Sequence, residues 1–151
     1  MIVAAGGGER DPDVDALVMA RTRGANDPQP LMNELLSSEL RPTLFLAQLS
    51  NLLAGNISIV HKVTGSSRTC MGEEGAGISA VETAAARIAA GQSEICLVGG
   101  AFSAERKDLL LNFGLGRILL HDPWRTVATR TGPGGLVPGT VGAFLVLESE
   151  A

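Results

Sequence analysis

Aromatic side chains are scarce in this chain: they make up 3% of its 151 residues, and tyrosine does not occur. Proteins that bind single-stranded nucleic acids stack bases on aromatic side chains and follow the phosphates with clustered cations. Here the net charge is −4, and the lysines and arginines form no basic cluster. The composition therefore argues against a nucleic-acid-binding protein.

Cysteines and long apolar runs are also rare. Cys70 and Cys96 lie among largely apolar neighbours and lack the spacing of paired cysteines. We therefore expect no disulfide framework and a reducing, cytoplasmic compartment. The apolar residues 1–5 are followed directly by a glycine-rich, charged segment, so we expect no signal peptide. No apolar run approaches the roughly 20 residues that cross a bilayer.

Small and apolar residues dominate what is present. Apolar residues make up 45% of the chain and glycine occurs 19 times, so we expect a folded core with closely packed backbones. The length suits a single domain over residues 1–151. Apolar runs typical of strands alternate with helical patterns, at residues 1–5, 68–71, 94–98 and 142–148. This alternation predicts an α/β fold with a mostly parallel sheet.

Further elements are predicted between the strands at residues 1–5 and 68–71. Asp11 or Asp13 is the predicted N-cap of a helix. Pro42 opens a longer predicted helix whose apolar residues cover much of its circumference, so that it is either buried or faces a partner chain. Gly55 is the predicted end of that helix. The polar and apolar alternation of residues 56–59 then predicts a short, half-buried strand.

Residues 63–100 organise the rest of the chain, because they combine a strand, a tight turn, a helix rich in small residues and a second buried strand. Core residues are predicted along this helix at Ile78, Val81, Ala84, Ala85 and Ile88. The turn at residues 71–74 delivers its side chains to the start of the helix, where the backbone favours negative charge. This turn is the first candidate for a site of chemistry.

Other possible motifs have simpler interpretations. The glycines at 6–8 lack both the GxGxxG spacing and the lysine of a phosphate-binding loop, and are interpreted as a flexible turn. His61 and His121 each stand alone, so neither suggests a metal site. Cys96 is interpreted as a small core residue.

Several stretches resemble one protein family. The runs NLLAGNISI (51–59) and RIAAG (87–91), together with residues 95–101, are similar to the segments around the active-site loop of beta-ketoacyl-[acyl-carrier-protein] synthases. HDPW (121–124) and residues 135–148 resemble the later RPFD…DGFVxGEGAGVLVLE stretch, with GTVGA at 139–143 in place of GEGAG. The likeness covers most of the chain and corresponds to the central part of the family's N-terminal half.

The resemblance implies a partial, thiolase-like layered α/β fold with one central buried helix. It also implies a role in fatty acid or polyketide biosynthesis, where the family condenses malonyl-carrier-protein with an acyl thioester. Expected partners are acyl carrier protein thioesters and a second subunit, as a homodimer or with a partner synthase. No cofactor is implied. By the same resemblance, Leu44 and Leu49 would lie near the acyl pocket and the dimer contact.

The chain departs from the family at the catalytic residues. Counting back from Gly99-Gly100 places Glu74 at the position of the nucleophilic cysteine, while Cys70 falls four residues earlier. The family's two catalytic histidines have no counterpart here. The chain is therefore interpreted as a condensing-enzyme segment, which would make it a fragment of a longer synthase, or as a non-catalytic partner such as a chain length factor. A stand-alone small-molecule-binding domain with glycine-rich loops is a third alternative. For Glu73-Glu74 plain helix capping is the alternative, and Cys70 is an alternative, displaced nucleophile.

Overall fold

The computed structural model describes residues 1–72, 74–132 and 134–150. Within these ranges the elements follow the order β1 (Ile2–Ala4), α1 (Pro12–Thr22), α2 (Pro28–Glu39), α3 (Pro42–Ala47), α4 (Leu52–His61), β2 (Arg68–Cys70), α5 (Ala76–Ala89), β3 (Ile95–Phe102), α6 (Lys107–Leu115) and β4 (Val141–Glu148). A short 3-10 helix occupies Val127–Thr129. The predicted α/β class is confirmed.

The four strands form one sheet in the order β2-β1-β3-β4. The strand β1 pairs in parallel with both β2 and β3, so that Val3 lies between Thr69 and Gly99. The strand β4 runs antiparallel to β3 over eight residue pairs. The prediction of a mostly parallel sheet is therefore confirmed, with one antiparallel strand at its edge.

The core lies between this sheet and α5. Ala80 and Ala84 of α5 are fully buried against Ile2, Cys96 and Val98 of the sheet. Because the helix side chains at this contact are methyl groups, the helix axis can approach the sheet closely. Cys96 is a buried core residue, as the sequence predicts.

The core prediction for α5 was right for Ala84 and for Ile88, which packs against the core, and wrong for the exposed Ile78, Val81 and Ala85. The sheet-facing residues are spaced by four, at Ala76, Ala80 and Ala84, whereas Ile78 is 66% exposed and Val81 37% exposed. The larger side chains of Ile78 and Val81 lie outside the buried face of the helix. A helix that is apolar on two faces gives no single stripe from which the buried face can be chosen.

Residues 42–61 also differ from the prediction. The helix that begins at Pro42 ends at Ala47, and a second helix covers Leu52–His61. Gly55 lies inside that second helix, where its N–H donates to the carbonyl oxygen of Asn51 at 3.0 Å. The predicted strand at residues 56–59 is helical. Four residues are too few to distinguish the alternation of polar and apolar residues in a strand from a single turn of a helix.

The backbone contacts divide the chain into two compact units. The first holds Met1–Phe102 together with the residues from Val141 onward, and contains the sheet and α1–α5. The second is Ser103–Thr140, which contains α6 and a bridge between Leu119 and Leu136. In this second unit Arg130 donates side-chain hydrogen bonds to the carbonyl oxygens of Arg125 and Gly135, each at 2.9 Å.

The start of α1 matches its predicted cap. The Oδ1 atom of Asp11 accepts a hydrogen bond of 3.3 Å from the N–H of Val14, and its Oδ2 atom lies 3.8 Å from Nε of Arg41. Removing an N-cap acceptor costs about 1 kcal/mol. We expect Asp11→Ala to lower the free energy of unfolding by that amount, measured by urea denaturation.

The matched control is Asp11→Asn, which keeps an oxygen that accepts from the Val14 N–H. This variant should retain most of the stability of the unmodified chain. Equal stability of the alanine and asparagine variants would contradict the assignment of the cap.

Candidate functional site

The candidate site lies where β2 passes into α5. The strand ends at Cys70, whose carbonyl oxygen accepts a hydrogen bond of 3.1 Å from the N–H of Ala5 in the loop after β1. Gly72 has a φ of +140°, a conformation that side chains with a Cβ rarely adopt. This glycine lets the chain turn within a few residues and enter α5 at Gly75, its N-cap.

Glu74 lies in this turn, one residue before the N-cap of α5, and is exposed. Its carboxylate makes no hydrogen bond or ion pair with the residues that the structure describes. The N-cap residue Gly75 has no side chain, so it makes no side-chain hydrogen bond to the first N–H groups of the helix either. The capping alternative is therefore not realised by Glu74 within the described ranges. Glu73 lies outside the described residues.

The helix start supplies the electrostatics of the site. The first N–H groups of an α-helix lack intrahelical partners and carry a partial positive charge. In α5 the first turn is formed by Ala76 and Gly77, and a Cβ added at Gly77 would have no atom within 4 Å. An anion or a developing oxyanion is the chemistry that such a helix start favours.

Cys70 has a different environment from Glu74. It is the last residue of β2, half-buried, and it packs against the core formed by α5 and the sheet. It precedes Gly75, the N-cap of α5, by five residues, so its thiol does not belong to the helix start. The role of a displaced nucleophile remains a prediction for Cys70.

The two histidines lie in different compact units of the chain. His61 is the last residue of α4 and is exposed, and His121 is exposed in the second unit. Among the described residues no three His, Cys, Asp or Glu side chains are grouped as metal ligands would be. The interpretation of both histidines as isolated residues agrees with their exposure.

Leu44 and Leu49, the residues placed near an acyl pocket by resemblance, lie in and just after α3. Leu44 is half-buried and Leu49 is 42% exposed. No residue of α3 is buried, and Phe45 is 72% exposed. Of the two alternatives for this segment, burial within the chain is therefore wrong. A partner-facing position stays a prediction.

A cleft in the second unit was missed by the sequence analysis. Its volume is about 240 Å³, and its lining includes Asp122, Arg125, Arg130 and Thr131. From sequence, residues 121–124 contributed only to the family resemblance, and no site was expected there. The nearby pair Arg125 and Arg130 was the available signal, although Arg130 donates two of its hydrogen bonds to backbone carbonyl oxygens.

The sheet order and the helix that starts directly after an edge strand define an α/β domain of the layered, thiolase-like class. A family model described as "Beta-ketoacyl synthase, N-terminal domain" matches residues 10–151. The chain therefore belongs to the beta-ketoacyl synthase family.

A solved structure supports the same fold. The chain is similar to "The ishigamide ketosynthase/chain length factor", with a TM-score of 0.55 and 18% sequence identity over 98% of this chain. The match covers 35% of that protein, so this chain spans about a third of its length. None of the curated proteins matches the chain. None of the described helices is both long and apolar enough to cross a membrane.

Proposed function

We propose that the chain serves fatty acid or polyketide biosynthesis as a ketosynthase-like subunit that keeps the family fold without transferring acyl groups itself. The observation that carries this proposal is Glu74, which stands in the turn just before the N-cap of α5. Membership of the beta-ketoacyl synthase family supports the pathway.

The chemistry of the family explains why a carboxylate matters at this position. In the condensation a cysteine thiolate displaces the carrier thiol from an acyl thioester and holds the acyl group as a new thioester. Malonyl-carrier-protein then loses carbon dioxide, and the resulting carbanion attacks the acyl carbonyl and releases the cysteine. A helix start lowers the pKa of such a cysteine and supplies N–H groups to the oxyanion.

Glu74 cannot replace that cysteine as an acyl carrier. Attack by a carboxylate on a thioester would form a mixed anhydride, which water hydrolyses before a second substrate reacts. We infer that Glu74 places a carboxylate where the family carries a reactive sulfur, and so imitates an occupied site.

The partners follow from the same proposal. An acyl carrier protein bearing a thioester is the substrate class, and a second subunit, identical or a catalytic synthase, is the protein partner. Leu44 and Leu49 are proposed to contribute to the acyl pocket or to the contact with that subunit, since the apolar side chains beside them are exposed. The proposed compartment is the cytoplasm.

We expect the purified chain to give no β-ketoacyl product from acyl- and malonyl-carrier-protein. Intact-protein mass spectrometry should also find no acyl group on the chain, because neither Glu74 nor Cys70 combines a thiol with the helix start. A catalytically competent ketosynthase in the same mixture is the positive control for substrates and detection.

Catalysis by this chain is the second candidate function, favoured by the half-buried thiol of Cys70 near the site. Condensation product, or an acyl group mapped to Cys70 by peptide mass spectrometry, would establish it and would end the proposal of a non-catalytic subunit.

A further inference from the structure

The cleft in the second unit is small and carries charges of both signs. Its volume of about 240 Å³ lies below the roughly 300–1,000 Å³ of clefts that take drug-sized ligands, so it suits a ligand of few atoms. Three of its described lining residues are ionised, namely Asp122, Arg125 and Arg130. Two positive charges and one negative charge leave the cleft with a net charge of +1, whereas the whole chain carries −4. The cleft therefore attracts anions more than the average surface of the chain does.

The backbone holds the guanidinium group of Arg130 in a fixed orientation. This residue is half-buried, and its Nε and Nη1 atoms each donate a hydrogen bond of 2.9 Å, to the carbonyl oxygens of Arg125 and Gly135. A guanidinium group has five N–H donors, so three remain without a partner among the residues that the structure describes. Because the group is already ordered, it loses little conformational entropy when it binds an oxyanion.

The carboxylate of Asp122 lines the same cleft as two guanidinium groups but pairs with neither. Within the described ranges the side chains of Asp122 and Arg125 make no hydrogen bond or ion pair, and both residues are exposed at the rim. A ligand that bridges these groups must offer acceptor oxygens to the arginines and a donor to the carboxylate. An oxyanion that keeps a proton has both.

We propose that this cleft binds a phosphate group and selects it by its proton. Arg125 and Arg130 would donate N–H groups to the phosphate oxygens, while an O–H of the phosphate would donate to Asp122. Inorganic phosphate keeps at least one proton throughout the neutral range. Sulfate has the same tetrahedral shape but no proton there, so one of its oxygens would meet the Asp122 carboxylate without a hydrogen bond. The proposal is independent of any role of Glu74.

Nuclear magnetic resonance of the full-length, ¹⁵N-labelled chain tests the selection directly. Inorganic phosphate and sulfate are titrated separately at pH 6.0, with ionic strength held constant by sodium chloride. We expect phosphate to shift the amide signals of residues 122, 125 and 131 and to bind at least about tenfold more tightly than sulfate. Glycerol 3-phosphate, whose second pKa is about 6, distinguishes a phosphate ester from free phosphate as the tighter ligand.

The role of the carboxylate is tested by Asp122→Asn. The amide has the size of the carboxylate but can donate to an oxyanion that lacks a proton. We expect sulfate to bind this variant about as tightly as phosphate, so that the tenfold preference disappears. The matched control is Glu105→Gln, which removes the same charge from an exposed position of the second unit outside the lining described for the cleft. This control should keep the preference of the unmodified chain.

The role of the arginines is tested by Arg125→Gln, since this side chain makes no described contact that the fold would lose. We expect phosphate affinity to fall about tenfold, whereas Arg117→Gln, an exposed control in the same unit, should leave it unchanged. Equal affinity of the unmodified chain for phosphate and sulfate, a preference that survives in Asp122→Asn, or no phosphate binding would each overturn the proposal. Shifts confined to residues 75–77 would also overturn it, because phosphate would then bind at the start of α5.

Discussion

Replacing Gly99 with alanine is expected to lower the free energy of unfolding by about 3 kcal/mol, the upper end of what overpacking costs. Gly99 lies in β3, between β1 and β4. A Cβ built on it would lie 2.6 Å from Cδ1 and 2.7 Å from Cα of Phe144, and closer still to the carbonyl oxygen of Ala143. Since two of these three atoms belong to the backbone, rotation of a side chain cannot relieve the overlap.

The matched control for this substitution is Gly77→Ala. Gly77 lies in the first turns of α5, and an added Cβ there meets nothing within 4 Å. Alanine in a helix is favoured over glycine, so this variant should gain about 0.5–1 kcal/mol. Urea denaturation of both variants measures the contrast. Equal stability of the two variants would contradict the close packing of β3 and β4.

The second large effect is expected at the candidate site itself. Glu74→Cys should convert a chain with no detectable acyl adduct into one that accepts an acyl group from acyl-carrier-protein. The introduced thiolate would attack the thioester carbonyl, the carbon–sulfur bond to the carrier would break, and the carrier thiol would leave with a proton. Condensation should still be absent, because the variant gains no catalytic histidine.

The matched control is Glu82→Cys, which introduces an exposed thiol on the same helix, seven residues after the N-cap. Peptide mass spectrometry should map the acyl group to position 74 in the first variant and find none in the second. Acylation of both thiols alike would mean that exposure, rather than the helix start, governs the reaction. Acylation at Cys70 instead would contradict the assignment of position 74.

The strands of this chain could be predicted from sequence because their signal is local and strong. Residues 95–98 form a mostly apolar run that is followed by a pair of glycines, which is typical of a strand buried on both faces. The run at 142–148 is equally clear. The antiparallel direction of β4 could not be predicted from the sequence. It depends on the path that residues 103–140 take between β3 and β4.

The helices were harder to predict wherever apolar residues occur on more than one face. In α5 the buried positions are alanines, while Ile78 lies among the exposed residues. Sequence reasoning favours the larger side chain for the core, but close packing against the sheet selects the smaller one. In residues 42–61 no residue type that usually ends a helix marks the end of α3 at Ala47. Gly55, which usually would, is tolerated inside α4.

The candidate site was partly predictable for a simple reason. A turn between a strand and a helix that is rich in small residues can be recognised from spacing, and the structure has β2, a turn at Gly72 and α5 in that order. It was not predictable that Glu74, among the described residues, makes no capping hydrogen bond to α5. A glutamate near a helix start is chemically suited to capping, and only coordinates reveal whether its carboxylate reaches the N–H groups.

Alkylation of the Glu74→Cys thiol by iodoacetamide, measured as a rate against pH, is the most direct test of the central claim. It shows whether position 74 lies at the N-terminus of α5. A thiol beside free helix N–H groups should titrate below the ordinary cysteine pKa of about 8.5, while the Glu82→Cys thiol should titrate near that value. A pKa at or above 8.5 for the thiol at position 74 would contradict the account.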